Sequence, residues 1–167
     1  MNTPICLKSD GGKLEISLPA LSQMLKFRQN RCWKSEAGGV LMGRYIRESL
    51  DVVIDDVTIP MRGDRRKRFN FFRDRDRHQR AINQAWQESD GTTHYLGEWH
   101  THPEKVPIPS PSDRANWNRH LQQDIFSGDT LFFIIVGTES IGIWEGHLKN
   151  PIHILIGEFN YSHFNTR

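Results

Sequence analysis

Apolar and polar residues alternate along "KLEISL" (13–18), so every second side chain shares a face and the segment reads as a half-buried strand. Pro19 opens a different rhythm. In "PALSQMLKFRQN", Leu21, Met24, Leu25 and Arg28 recur at helical spacing behind a first-turn proline, which predicts a helix. "GGVLMGRYI" and "LDVVIDDVTI" read as two strands, antiparallel neighbours joined by a polar turn around Glu48 and Ser49. The charged stretch 62–68 reads as a loop. A helix over roughly 73–88 follows, with Ala81, Ile82, Ala85 and Trp86 as its buried stripe and Asp74 and Asp76 at its electropositive start. "HYLGEWHTH" is predicted as a strand, and a proline-rich loop leads from it to a helix over about 111–126. "TLFFIIVG", "SIGIWEGHL" and "PIHILIGEF" close the chain as three strands. Strands interleaved with helices, without repeats or linkers, predict one α/β domain over residues 1–167, a mixed sheet flanked by helices.

Composition narrows the setting. Aliphatic and aromatic residues make up 37% and charged residues 25% of 167 residues, enough for a real core. The two cysteines, Cys6 and Cys32, have neither metal-type nor disulfide-rich spacing, which fits a reducing cytosol. Cys32 reads as a small core residue. "MNTPICLKSDGG" lacks the features of a signal peptide, and "LFFIIV" (131–136) falls far short of the about 20 residues a membrane span needs. A soluble, cytoplasmic protein is expected.

The formal net charge of +2 is uneven. Residues 62–80, "RGDRRKRFNFFRDRDRHQR", carry nine Lys/Arg against three Asp, a local +6 that leaves −4 elsewhere. Such a patch concentrates anionic partners, or is simply a solvated face. Phe69, Phe71 and Phe72 among the arginines suit base stacking on a single strand. No nucleic-acid module accompanies them, however, and they read more simply as core, so nucleic acid is not the expected partner.

"GEWHTHPEKVPIPSPSDRANW" (97–117) carries the candidate chemistry. On a strand, i and i+2 share a face, so His100 and His102 project side by side, and Pro103 ends the ladder there. Three prolines in "PEKVPIP" restrict the loop that brings Ser110 and Asp113 near them. Two imidazoles and a carboxylate suit Zn²⁺, and three protein ligands leave a fourth tetrahedral position for water. A plainer reading stands beside this one: "SPSD" is a capping box, with Ser110 at N-cap, Pro111 at N1 and Asp113 at N3. Glu98 lies on the face of His100, where it would assist the site or ligate. Glu104 reads as solvated. The remaining histidines (78, 94, 120, 147, 153 and 163) read as helix-surface or strand residues.

"HTHPEKVPIPSPSD" resembles the signature of the JAMM (MPN-plus) zinc isopeptidases, H-x-H, seven residues, S, two residues, D. "LGEWHTHP" resembles the family's lead-in through Gly97 and Trp99, although Glu98 stands where the family often has an aromatic. "SEAGGVLMG" (35–43) supplies the upstream glutamate of that pattern as Glu36. The resemblance implies a cytidine-deaminase-like layout and one Zn²⁺ per chain, held by His100, His102 and Asp113. It implies Glu36 as general base and then acid, and Ser110 as donor to the oxyanion. Glu36 is preferred over Glu98 and Glu104 because its flanking glycines match.

The implied substrates are conjugates or fusions at the C-terminus of ubiquitin-like proteins. The short layout resembles the bacterial deubiquitinase-like peptidases found beside cGAS-like nucleotidyltransferases in CBASS anti-phage operons, which release the nucleotidyltransferase from its conjugates. In that reading the basic segment docks an acidic face of the substrate. The rivals are a sulfur-carrier-processing peptidase and a non-catalytic MPN scaffold; presence of all five motif residues speaks against the second.

Overall fold

A computed structural model of the chain describes residues 3–164. Its strands are β1 (Ile5–Leu7), β2 (Lys13–Ile16), β3 (Gly38–Tyr45), β4 (Val52–Val57), β5 (Arg65–Lys67), β6 (Asn70–Phe72), β7 (His94–Thr101), β8 (Thr130–Val136), β9 (Ser140–His147) and β10 (Asn150–Asn160). The helices are α1 (Leu18–Leu25), α2 (Arg75–Glu88) and α3 (Pro111–Gln123). Eight strands form one sheet in the order β1-β2-β4-β3-β7-β8-β9-β10. β2 and β4 pair in parallel, as do β7 and β8, and the other neighbours are antiparallel. The sheet is therefore mixed, as expected, and β1 is an added edge strand that the sequence reading missed.

β8 shows why the sheet needs cover on both faces. Phe132, Ile134 and Val136 pack into the core beneath α1, while Leu131, Phe133 and Ile135 pack into the core beneath α2 and α3. An unbroken apolar run is what a strand buried on both faces requires. The helices start where local chemistry dictates. Ser17 caps α1 by accepting from the Ala20 amide, and Asp74 caps α2 by accepting from the Arg77 amide. The Ser110 hydroxyl and the Asp113 carboxylate form the predicted reciprocal capping box of α3.

Several expectations change. α1 ends at Leu25, short of Arg28, because Phe27 leaves the helix axis to pack near Trp99 and Gln29 turns to bond other segments. α3 stops at Gln123, short of 126; extended backbone at Asp124 turns its carboxylate back onto His120 and Tyr95. The expected loop 62–68 contains half of a hairpin, β5–β6, whose charged residues hid its strand character. Phe69 and Phe72 are not core: they are 75% and 50% exposed, with Arg68 and Arg65 lying over their rings. On α2, Ile82 and Ala85 face the core, but Trp86 is 52% exposed. The most buried residue of that helix is His78, which bonds Thr58 and Asp64 rather than lying on the surface. Cys32 is exposed, outside the core. His153 is also buried, and the side chain of His163 lies outside the described residues. Among the described residues, no helix is long and apolar enough to cross a membrane.

Candidate active site

β7 supplies the frame. Beyond a β-bulge at Leu96–Gly97 its alternation sends Trp99 into the α1-side core, where Leu96 also packs, while Glu98, His100 and His102 face α3. Trp99 anchors the strand end by donating from Nε1 to the Thr58 carbonyl at 2.9 Å. Gly97 has φ +137° and lies against the Phe132 backbone, where any Cβ would collide with the Phe132 carbonyl. The strand thus reaches the rim in one fixed register, with His100 opposite Gly38 on β3.

At the rim, the Nε2 atoms of His100 and His102 stand 3.1 Å apart. Asp113, delivered by the first turn of α3, places Oδ1 3.2 Å from His100 Nε2 and Oδ2 3.2 Å from His102 Nε2. A small cation bound tetrahedrally at about 2.0–2.1 Å separates its donors by about 3.3–3.4 Å, so this triangle fits a metal ion with little adjustment. The capping box serves the same geometry: the Ser110 amide donates to Asp113 Oδ2 at 2.6 Å and fixes the carboxylate. The helix-start reading of "SPSD" is met, and the same box turns both Asp113 oxygens toward the imidazoles.

Glu36 enters from the loop before β3. It is 5% exposed, and its Oε1 lies 3.9 Å from both imidazole Nε2 atoms. Glu36, His100 and His102 form a cluster able to hold a metal ion. Burial pushes the Glu36 carboxyl up to about 7, against the pull of the two histidines. For Asp113, burial works in the opposite direction to the result: hydrogen bonds from His100 and His102 hold it well below the usual carboxylate range. Ser110 Oγ accepts from the Asp113 amide at 3.1 Å and lies 2.9 Å from Ser112 Oγ.

Two glutamates behave differently from expectation. Glu104 is 55% exposed at its side chain but not idle, since Oε2 sits 2.9 Å from His102 Nδ1. A proton held on Nδ1 by that contact would let Nε2 serve a metal ion, as a ligating imidazole requires. Glu98 shares the His100 face but engages His120 Nε2 at 3.1 Å and Arg73 at 3.0 Å. His120 in turn bonds Asp124 at 2.7 Å, and the Tyr95 hydroxyl donates to Asp124 at 2.9 Å. Only the helical i,i+4 spacing of His120 and Asp124 hinted at this network. Both clusters open onto one cavity of about 770 Å³ between the β5–β6 hairpin and α3.

Residues 18–147 match the model of prokaryotic homologs of the JAB domain. The chain is 37% identical over 132 residues to the CD-NTase/cGAS isopeptidase of Vibrio cholerae serotype O1, covering 79% of this chain and 80% of that relative. It is 32% identical over 153 residues to a protein of the same name from Escherichia coli, covering 91% and 93%. A third, from Pseudomonas aeruginosa, is 43% identical over 123 residues, covering 70% and 76%. The solution structure of protein DSY2949 from Desulfitobacterium hafniense is similar in fold, with a TM-score of 0.58 at 18% identity over 91% of this chain and 98% of that one. On the strength of the matched span and these relatives, the chain belongs to the prokaryotic homologs of the JAB domain.

Proposed function

We propose that this protein is a zinc-dependent isopeptidase that releases a CD-NTase/cGAS-type nucleotidyltransferase from proteins to which its C-terminus is joined, a step in anti-phage defence. The substrate class is taken from the names of the three relatives. The observation that carries the chemistry is the placing of the buried Glu36 carboxylate 3.9 Å from both imidazoles of a His–His–Asp donor set.

His100, His102 and Asp113 are the ligands in this reading. A zinc ion held by them would supply an acidified water, with a pKa near about 7, and Lewis acidity toward the scissile carbonyl. Glu36, 3.9 Å from both imidazoles, would take a proton from water on its carboxylate and later deliver it to the departing amine. Ser110 keeps its hydroxyl proton available: Oγ accepts from the Asp113 amide, leaving O–H to turn from Ser112 toward the oxyanion that develops on the substrate carbonyl. Glu104 holds the tautomer of His102. The cavity of about 770 Å³ beside the site offers room for the tail of the substrate.

A nucleotidyltransferase joined through its C-terminus to an acceptor lysine tests the proposal. The protein should separate the two, stop after treatment with a chelator, and resume on zinc addition. Cleavage that continues in excess chelator would refute the zinc mechanism, and an intact conjugate under all conditions would refute the substrate.

A further inference from the structure

The backbone that carries Glu36 is held from two sides. On one side stands the β5–β6 hairpin. Arg66 Nε donates to the Glu36 carbonyl at 2.9 Å, and its Nη2 reaches the Ser35 carbonyl at 3.4 Å. The Glu36 amide donates to the Lys67 carbonyl at 2.7 Å. Two residues after Arg66, Arg68 Nη1 donates to the Cys32 carbonyl. On the other side stands Thr101, between the two histidines but facing the opposite way. It accepts from the Ala37 amide through Oγ1 at 3.0 Å and donates its own amide to the Ala37 carbonyl at 2.8 Å. Gln29, buried, joins the two sides. Its amide nitrogen donates to the Arg68 and Lys34 carbonyls at 2.7 and 3.2 Å, and its oxygen accepts from Thr101 Oγ1 at 3.0 Å.

We infer that Arg66, in a frame completed by Gln29 and Thr101, is a positioning residue that fixes the Glu36 carboxylate against the two histidines. The inference rests on the reading of Glu36 as the proton carrier. A loop outside the sheet has no ladder to hold it, so the distance from Glu36 to the imidazoles is set by these bonds. Charge-assisted donors to carbonyls are the stronger kind. Reactive groups must be held within about 0.5 Å for full effect. The inference also divides the basic segment. Arg66 and Arg68 are engaged with the loop backbone, while Arg65 lies over Phe72 and touches no part of that loop. A fork of planar donors is what the two adjacent carbonyls, 35 and 36, require, and lysine cannot reproduce it.

The test compares Arg66→Lys with Arg65→Lys, which retain the same charge on the same strand. Expected for Arg66→Lys is a fall in kcat of about ten- to a hundred-fold, the scale of a displacement near 1 Å. KM and zinc content should stay within about two-fold, and the loss should be equal on a protein conjugate and a short isopeptide-linked fragment. Amide exchange at Glu36 and Ala37 should quicken together with the rate loss. Arg65→Lys should keep kcat. Unchanged kcat or unchanged exchange in Arg66→Lys would overturn the inference, as would a loss confined to KM or to the protein conjugate. If the variant does not fold, exchange in the unsubstituted protein still decides: rapid exchange of the Glu36 and Ala37 amides contradicts a clamp. A wild-type protein inactive with zinc would instead strike the functional proposal, leaving the exchange result to judge the clamp.

Discussion

Glu36 and Glu98 are both buried glutamates within reach of histidines on one strand face, yet their environments drive them apart. Glu98 meets two cations directly. Burial alone would raise its pKa, but His120 and Arg73 hold it down to about 2. Glu36 meets no direct cationic partner through its carboxylate; its nearest imidazoles are 3.9 Å away and converge on a shared centre with Asp113. Burial therefore wins, and its pKa rises to about 7. The Glu98 cluster is closed, with acid and base matched through Asp124 and Tyr95. The Glu36 cluster is short of positive charge. A closed cluster stabilises, whereas the convergent donors around Glu36 are compatible with a metal ion.

Substitutions at the two glutamates should separate these roles. The largest effect belongs to Glu36→Gln, which should reduce kcat by about 10²–10⁴-fold while elemental analysis still finds zinc. Asp113→Ala should lose as much activity and the metal with it, through removal of one of three donors. Full zinc occupancy in Asp113→Ala would break the assignment of ligands.

The Glu98 cluster should respond in stability. His120→Ala should lower it by roughly 2–3 kcal/mol in denaturant titration, less than the about 3–5 kcal/mol of a buried ion left with no partner, because Arg73 remains on Glu98. Loss of zinc in that variant would mean that the two clusters are not separate.

pH sharpens the contrast with a smaller effect. Burial opposes the charged form of His120, yet Glu98 and Asp124 raise its pKa to about 9. Its contribution to stability is complete below the imidazole value of 6.5 and disappears as pH rises through about 9. Glu98, being depressed, contributes above its ordinary 4.5 and loses that contribution as pH falls through about 2. In the proposed mechanism Glu36 acts on rate instead, through its carboxylate, so kcat should rise with pH along an acid limb at or below about 7, lower when a cation is bound. Thermal melts and rate profiles on the same samples should show the two dependences at different pH. The smallest effect is expected at Phe69→Ser, within about 0.5 kcal/mol, since that ring is three-quarters in solvent.

How far the molecule could be read in advance depended on the range of the interactions. The His100–His102 pair followed from strand periodicity, and the Ser110–Asp113 box from helix-start chemistry, both rules that act within four residues. Glu36 was reached through the resemblance, its carboxylate arriving from a loop 64 residues before His100. The hairpin was missed because "RRK" is wholly charged and carries no apolar face to mark a strand. Trp86 and His78 were exchanged in the reading of α2 because burial followed the polar partners Thr58 and Asp64, which lie elsewhere in the chain.

Sequence alone determined the mixed α/β architecture, the metal-type spacing of His100, His102 and Asp113, and the caps that start the helices, because each is written in neighbouring residues. Only the tertiary structure decided which buried glutamate is neutralised by partners and which is left facing the histidines, and that part of the basic segment grips a loop. Those outcomes depend on groups brought together from distant parts of the chain, and the charge balance of a buried site is a property of that assembly.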